Sequence, residues 1–196
     1  MRTRFIQVST ERQIKTVESL AREIWTEHYT PIIGKGQVVY MLRKFQTRKA
    51  VSDQIGEGVL YFLLEAGDEV IGYMAVQPRD DELFLSKIYV RAPKRSMGYG
   101  RRAVRFIEDL ARDRGLRRIS LTVNKNNTGA LRAYERLGFS NLGPVLKEIG
   151  GGFVMDDYGM EKDVSLRGGT DPRSGVKTDR LGRRCSVRSA VRRKRV

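Results

Sequence analysis

The chain is 196 residues long, with 40% hydrophobic and 31% charged residues, a formal net charge of +15, one cysteine and one histidine. That length suits one domain plus an appendage. The lone Cys185 excludes an internal disulfide and a cysteine-based zinc site, and no apolar run approaches the ~20 residues of a membrane span. With a start (MRTRFIQVST) that lacks a signal-peptide apolar core, the inventory predicts a soluble, cytoplasmic, metal-free protein.

In chain order, residues 4–9 alternate as a short strand. From Ser9 and Thr10 a helix follows, with Ile14, Val17, Leu20, Ala21, Ile24 and Trp25 on its apolar face, and Pro31 and Gly34 end it. Helical patterns then cover 36–46 and 48–55, stopping at Gly56-Glu57-Gly58. Three strands in a meander come next, at 59–65, 69–77 and 83–90, the first two joined by the hairpin signal Ala66-Gly67-Asp68. The remainder reads as helix 99–114, strand 119–123, helix 128–137, strand 139–149, the turn Gly150-Gly151-Gly152 and strand 153–162. Antiparallel strands followed by a βαβα section predict a mixed α/β domain with a twisted, partly parallel sheet flanked by helices.

The charge is uneven. Residues 165–196 hold eleven Lys and Arg against Asp171 and Asp179, so this stretch carries +9 and residues 1–164 carry +6. Poor in large apolar residues, it cannot bury enough surface to fold alone. Two regions are therefore expected, a folded domain over 1–164 and a basic, disordered tail over 165–196. The cluster Arg192-Arg193-Lys194-Arg195 could meet nucleic-acid phosphates, but the tail has no aromatic on which a base could stack.

Arg95-Ser96-Met97-Gly98-Tyr99-Gly100 is wedged between the apolar strand 83–90 and an amphipathic helix bearing Ala103, Val104, Ile107, Leu110 and Ala111 on one face. A basic, glycine-bearing turn that opens a helix is a ready anion site, because free N–H groups and the positive helix end converge there. It is neither a P-loop nor a dinucleotide fingerprint. Alone, it is equally a plain strand-to-helix turn with solvated arginines. A second block runs from Asn124 to Phe139. Asn127 sits at a natural N-cap, Tyr134 follows two turns later on the same helix face, and Gly138 breaks the helix.

Together, an Arg-x-x-Gly-x-Gly turn after a central strand and Asn-x-x-Ala-x-x-x-Tyr-x-x-x-Gly-Phe some thirty residues on resemble the GNAT superfamily of N-acetyltransferases. The resemblance covers roughly residues 3–164. It implies a GNAT-like acyl-CoA N-acyltransferase fold that binds acetyl-CoA as co-substrate in a V-shaped opening between strands 83–90 and 119–123. It further implies that Arg95, Ser96, Met97, Gly98, Tyr99, Gly100 and Arg101 wrap the pyrophosphate. Backbone groups near Ile88 and Val90 would pair with the pantetheine arm and polarise the thioester carbonyl. Asn127 would hydrogen-bond the cofactor, and Tyr134 would protonate the leaving thiolate. Ser96 departs from the pattern, since members often carry glycine there.

For the base that deprotonates the acceptor, the candidates are Glu27, Glu23, Glu65, Asp156 and Asp157, with Glu27 preferred. His28, beside Tyr29, is a weaker candidate. The resemblance places the acceptor among residues 25–29, 40–45 and 154–158, whose aromatics and carboxylates suit a small cationic amine such as a polyamine. A protein or peptide N-terminus stays open, as does a homodimer. The rival class is a non-catalytic protein that senses acetyl-CoA or docks on RNA through its tail.

Overall fold

A computed structural model describes residues 3–164. The predicted tail, and the readings placed on it, lie outside the described residues. Strand β1 (Thr3–Gln7) leads into helix α1 (Glu11–Ile33). Thr10 starts α1 with a capping box: its hydroxyl accepts the Gln13 backbone N–H while the Gln13 side chain returns to the Thr10 backbone. Val17, Leu20, Ala21, Ile24 and Trp25 form its buried face. The helix runs through Pro31 rather than ending at it. Only the bond to the Glu27 carbonyl is forfeited there, close to the terminus, and Gly34, at φ +82°, closes the helix instead. Helix α2 (Lys35–Phe45) and α3 (Arg48–Gly56) follow.

Strands β2 (Leu60–Ala66), β3 (Glu69–Arg79) and β4 (Glu82–Val90) form the predicted meander. A single 3-10 turn at Ala92–Lys94, unforeseen in the sequence, carries the chain to α4 (Tyr99–Asp113). Then come β5 (Arg118–Asn124), α5 (Thr128–Arg136), β6 (Ser140–Gly150) and β7 (Phe153–Asp163). The seven strands make one sheet in the order β1-β2-β3-β4-β5-β7-β6. Every neighbour pair is antiparallel except β4–β5.

Helices cover both faces. Leu83, Leu85, Ile119 and Leu121 pack with Ala103, Val104 and Ile107 of α4 on one side. On the other, Tyr61, Leu63 and Tyr73 pack with Val17, Ile24 and Trp25 of α1. Each such fully buried aliphatic contributes roughly 1.5–3 kcal/mol relative to exposure. Among the described residues no helix is long and apolar enough to cross a membrane.

The parallel ladder is short. It runs from Glu82 opposite Arg118 to Leu85 opposite Leu121 and stops. Beyond it β4 stays paired to β3 alone and β5 to β7 alone. The register of β4 shifts at this point, where Leu85 faces Val76 but Lys87 faces Ala75, leaving Ser86 as the extra residue. The two central strands therefore part into a V. Gly72 holds the β4 limb against β3, because a Cβ there would lie 2.1 Å from the Tyr89 carbonyl oxygen.

Candidate functional site

The V opens toward the basic turn. Gly98 caps α4 in the left-handed conformation, φ +81°, with no side-chain cap on the helix's first N–H groups. Ser96 is also left-handed, at φ +62°. Glycine adopts that conformation at no steric cost, whereas serine gives up about 1 kcal/mol; the departure seen in the sequence is thus a local strain. A Cβ added at Gly100 would meet nothing within 4 Å. The Tyr99 side chain is buried in the core, so its backbone N–H is what it can offer a ligand. The Arg95 Nε donates to the Val90 carbonyl at 2.9 Å, tying turn to strand.

At Arg91 the N–H bonds the Ile71 carbonyl on β3. By two-residue alternation, the backbone groups of Ile88 and Val90 then point the other way, into the opening left by β5. One continuous cavity is lined by Ile88, Val90, the turn 95–101, Asn127 and Tyr134. The structure thus brings together all the residues expected to hold the cofactor.

Glu27 is not among them. Four residues apart on α1, Glu23 and Glu27 lie on one flank and pair with Arg91 and Arg95 respectively. Glu27 accepts both guanidinium nitrogens of Arg95, at 3.0 and 2.6 Å, and is half exposed. This hydrogen-bonded ion pair holds the Glu27 carboxyl below the ordinary range, which opposes proton uptake. Glu23 is held the same way by Arg91. Glu65 bonds Arg4, and Asp156 bonds Lys125 at 2.5 Å. Neither lines the cavity.

Asp157 is the exception among the carboxylates considered. It is buried at 4% exposure, lines the cavity, and has no ion pair among the described residues. Burial raises its pKa above the usual aspartate value, against hydrogen bonds from the Thr122 and Asn124 side chains. His28 also lines the cavity, its Nε2 3.3 Å from Asn127 Nδ2. Burial, and then the charge of Arg95, lower the pKa of His28, so its imidazole is neutral at neutral pH.

Asn127 itself is buried, and its Oδ1 caps α5 at Ala130 N, 3.3 Å. Tyr134 of α5 packs edge-on against Phe139, with ring centroids 5.4 Å apart. Burial raises its hydroxyl well above the ordinary tyrosine value, so it stays protonated and able to donate. Tyr29 and Tyr89, whose rings meet edge-on with centroids 6.0 Å apart, complete the polar wall. Tyr89 was missed in the sequence. Strand alternation was the available signal, since a residue between Ile88 and Val90 must project to the opposite face. The expected acceptor wall is present in part: Trp25, His28, Tyr29, Met41, Phe45, Met155 and Asp157 line the cavity, whereas Glu27, Tyr40 and Asp156 do not.

With this geometry in place, residues 18–139 match the model of the "Acetyltransferase (GNAT) family". The chain is 26% identical over 136 residues to "N-acetyltransferase 8B" of Mus musculus, a match covering 66% of this chain and 55% of the relative. The matched stretch thus spans about half the length of that curated relative. The fold is similar to the PaiA N-acetyltransferase of Thermoplasma acidophilum solved with coenzyme A, at TM-score 0.66, 18% identity, and coverage of 83% of this chain and 99% of that one. It is also similar to a chimeric spermidine N-acetyltransferase with a Vibrio cholerae parent, at TM-score 0.64, 15% identity, and coverage of 84% and 97%.

Proposed function

The chain belongs to the GNAT family of acetyl-CoA-dependent N-acetyltransferases, and from that premise we propose that it moves the acetyl group of acetyl-CoA directly onto a primary amine. One observation carries this reading: β4 and β5 part after Leu85 and Leu121, and the opening has an anion-binding turn at one end and buried proton-handling groups at the other.

The free N–H groups at the start of α4, with Arg95 and Arg101, suit the pyrophosphate of acetyl-CoA. Bound there, acetyl-CoA supplies a thioester whose carbonyl carbon the amine attacks as the C–S bond breaks. The backbone of Ile88 and Val90 would align the pantetheine arm and polarise that carbonyl. Tyr134, kept protonated by burial, would donate to the departing thiolate. Asp157, the buried carboxylate of the cavity, would take the ammonium proton, with His28 and Asn127 beside it as a relay. Glu27 becomes a positioning residue for Arg95.

The carboxylates that a polyamine would need are engaged: Glu27 by Arg95, Glu23 by Arg91 and Asp156 by Lys125. This favours an acceptor presenting one ammonium to Asp157. The test is thiol release from acetyl-CoA across a panel of amines, with the N-acetylated product identified by mass. Turnover above acetyl-CoA hydrolysis supports the reading, and none with any amine, peptide or polyamine overturns it.

A further inference from the structure

Among the described residues four polar or charged side chains are buried: Gln46, Lys87, Asn127 and Asp157. Gln46 accepts the Tyr73 hydroxyl, Asn127 caps α5, and Asp157 lies beside the Thr122 and Asn124 side chains. Lys87 is the cation of the set. At 8% exposure its Nζ donates to Gln54 Oε1 at 2.8 Å and Ser86 Oγ at 3.1 Å, and it lies 5.1 Å from the Tyr61 ring centroid. All of these partners are neutral. No carboxylate lies within ion-pair reach of Lys87 among the described residues. Glu57 and Glu148, which also line the cavity, are exposed and do not pair with it.

A buried ammonium without a counter-charge is costly. Burial pushes this one down to about 8, so at neutral pH it is still mostly charged. Its place is informative. Lys87 follows the bulged Ser86, two residues past the last β4–β5 pair, and directly precedes Ile88. By alternation it shares a face with Tyr89, on the side where α1 and α2 supply Trp25, His28, Tyr29 and Met41 to the cavity. The anion-binding turn begins eight residues further along the chain, at Arg95. The same cavity therefore holds one buried carboxylate without a cation, Asp157, and one buried ammonium without an anion, Lys87. An acceptor with an ammonium and a carboxylate of its own complements both.

We propose that Lys87 is the carboxylate-binding residue of the acceptor site, and that the acceptor is amino-acid-like, carrying a carboxylate together with the amine that is acetylated. The assignment rests on the acetyltransferase reading above. It is tested by comparing kcat/KM for unbranched amino acids of graded amine-to-carboxylate spacing with alkylamines and diamines of the same lengths, for wild type and Lys87→Met.

For wild type, the best-fitting amino acid should exceed its alkylamine and diamine by about 10- to 100-fold, the scale of one charge-assisted hydrogen bond. Lys87→Met should erase that preference through KM, bringing the amino acid and the alkylamine to similar kcat/KM. Equal or better turnover of diamines or alkylamines by wild type overturns the proposal and leaves the transferase reading standing. A uniform fall in kcat for all acceptors in Lys87→Met also overturns it, placing Lys87 at the thioester instead. Absence of turnover with every amine removes the transferase reading and the proposal with it.

Discussion

Arg95 and Glu27, 68 residues apart in sequence, are joined by two hydrogen bonds of 3.0 and 2.6 Å. We propose that Glu27 positions Arg95 rather than acting as a base: Arg95 is held at the mouth of the V by Glu27 on one side and the Val90 carbonyl on the other. Surface pairs of this kind contribute roughly 0–1 kcal/mol. Glu27→Gln should therefore keep kcat within about 3-fold, where loss of a general base costs ~100- to 10,000-fold. Steady-state kinetics of the variant decides between the two roles.

Tyr134→Phe removes the donor proposed for the thiolate while leaving its ring packing on Phe139 in place. We expect kcat to fall by at least ~100-fold. The KM for acetyl-CoA should change little, because the hydroxyl acts on the leaving group. Equal loss in kcat and in cofactor binding would instead mark Tyr134 as a binding residue.

Asp157, the proposed base, is expected to link activity to stability. Its folded pKa lies above the ordinary aspartate value, so its contribution to stability is fully present below that ordinary value and is lost as pH rises through the folded one. With Asp157 as the proposed base, turnover is expected to run the opposite way, rising with pH as its carboxyl ionises. Asp157→Asn should abolish that rise and lower kcat. It should also melt at or above the wild-type temperature at neutral pH, with the advantage gone in acid. Thermal melts at both pH values, with a pH–rate profile, check the pair of effects.

Gly72→Ala should destabilise the sheet beside the site. Its new Cβ would sit 2.1 Å from the Tyr89 carbonyl oxygen, a backbone atom with no rotamer to retreat into. Overpacking of this kind costs typically 1–3 kcal/mol, with a melting temperature lowered by several degrees. An unchanged melting curve would mean that β3 and β4 separate more easily than their register implies.

The sequence disclosed the motifs that act locally. The strand before Arg95, the glycine-bearing turn at 95–100 and the Asn127-capped helix bearing Tyr134 are each written in adjacent residues, and they lie where they were expected. It did not disclose which carboxylates are engaged. Helical spacing puts Glu23 and Glu27 on one flank, yet their partners Arg91 and Arg95 arrive from the far end of β4. Asp156 and Asp157 are indistinguishable in sequence; the strand pleat sends one to Lys125 and buries the other. Pro31 misled for a related reason, since a proline in the last turn costs a helix little when Gly34 closes it. The buried Lys87 was hidden by the bulge at Ser86, which resets the alternation of β4 at the vertex of the V.

We propose that the opening between β4 and β5, with its basic turn, holds coenzyme A. Calorimetric titration of coenzyme A into wild type, Arg95→Ala and Asp157→Asn tests it most directly. One site per chain is expected, with affinity weakened about 10- to 100-fold by Arg95→Ala and unchanged in Asp157→Asn. No binding to wild type, or equal affinity in Arg95→Ala, would contradict it.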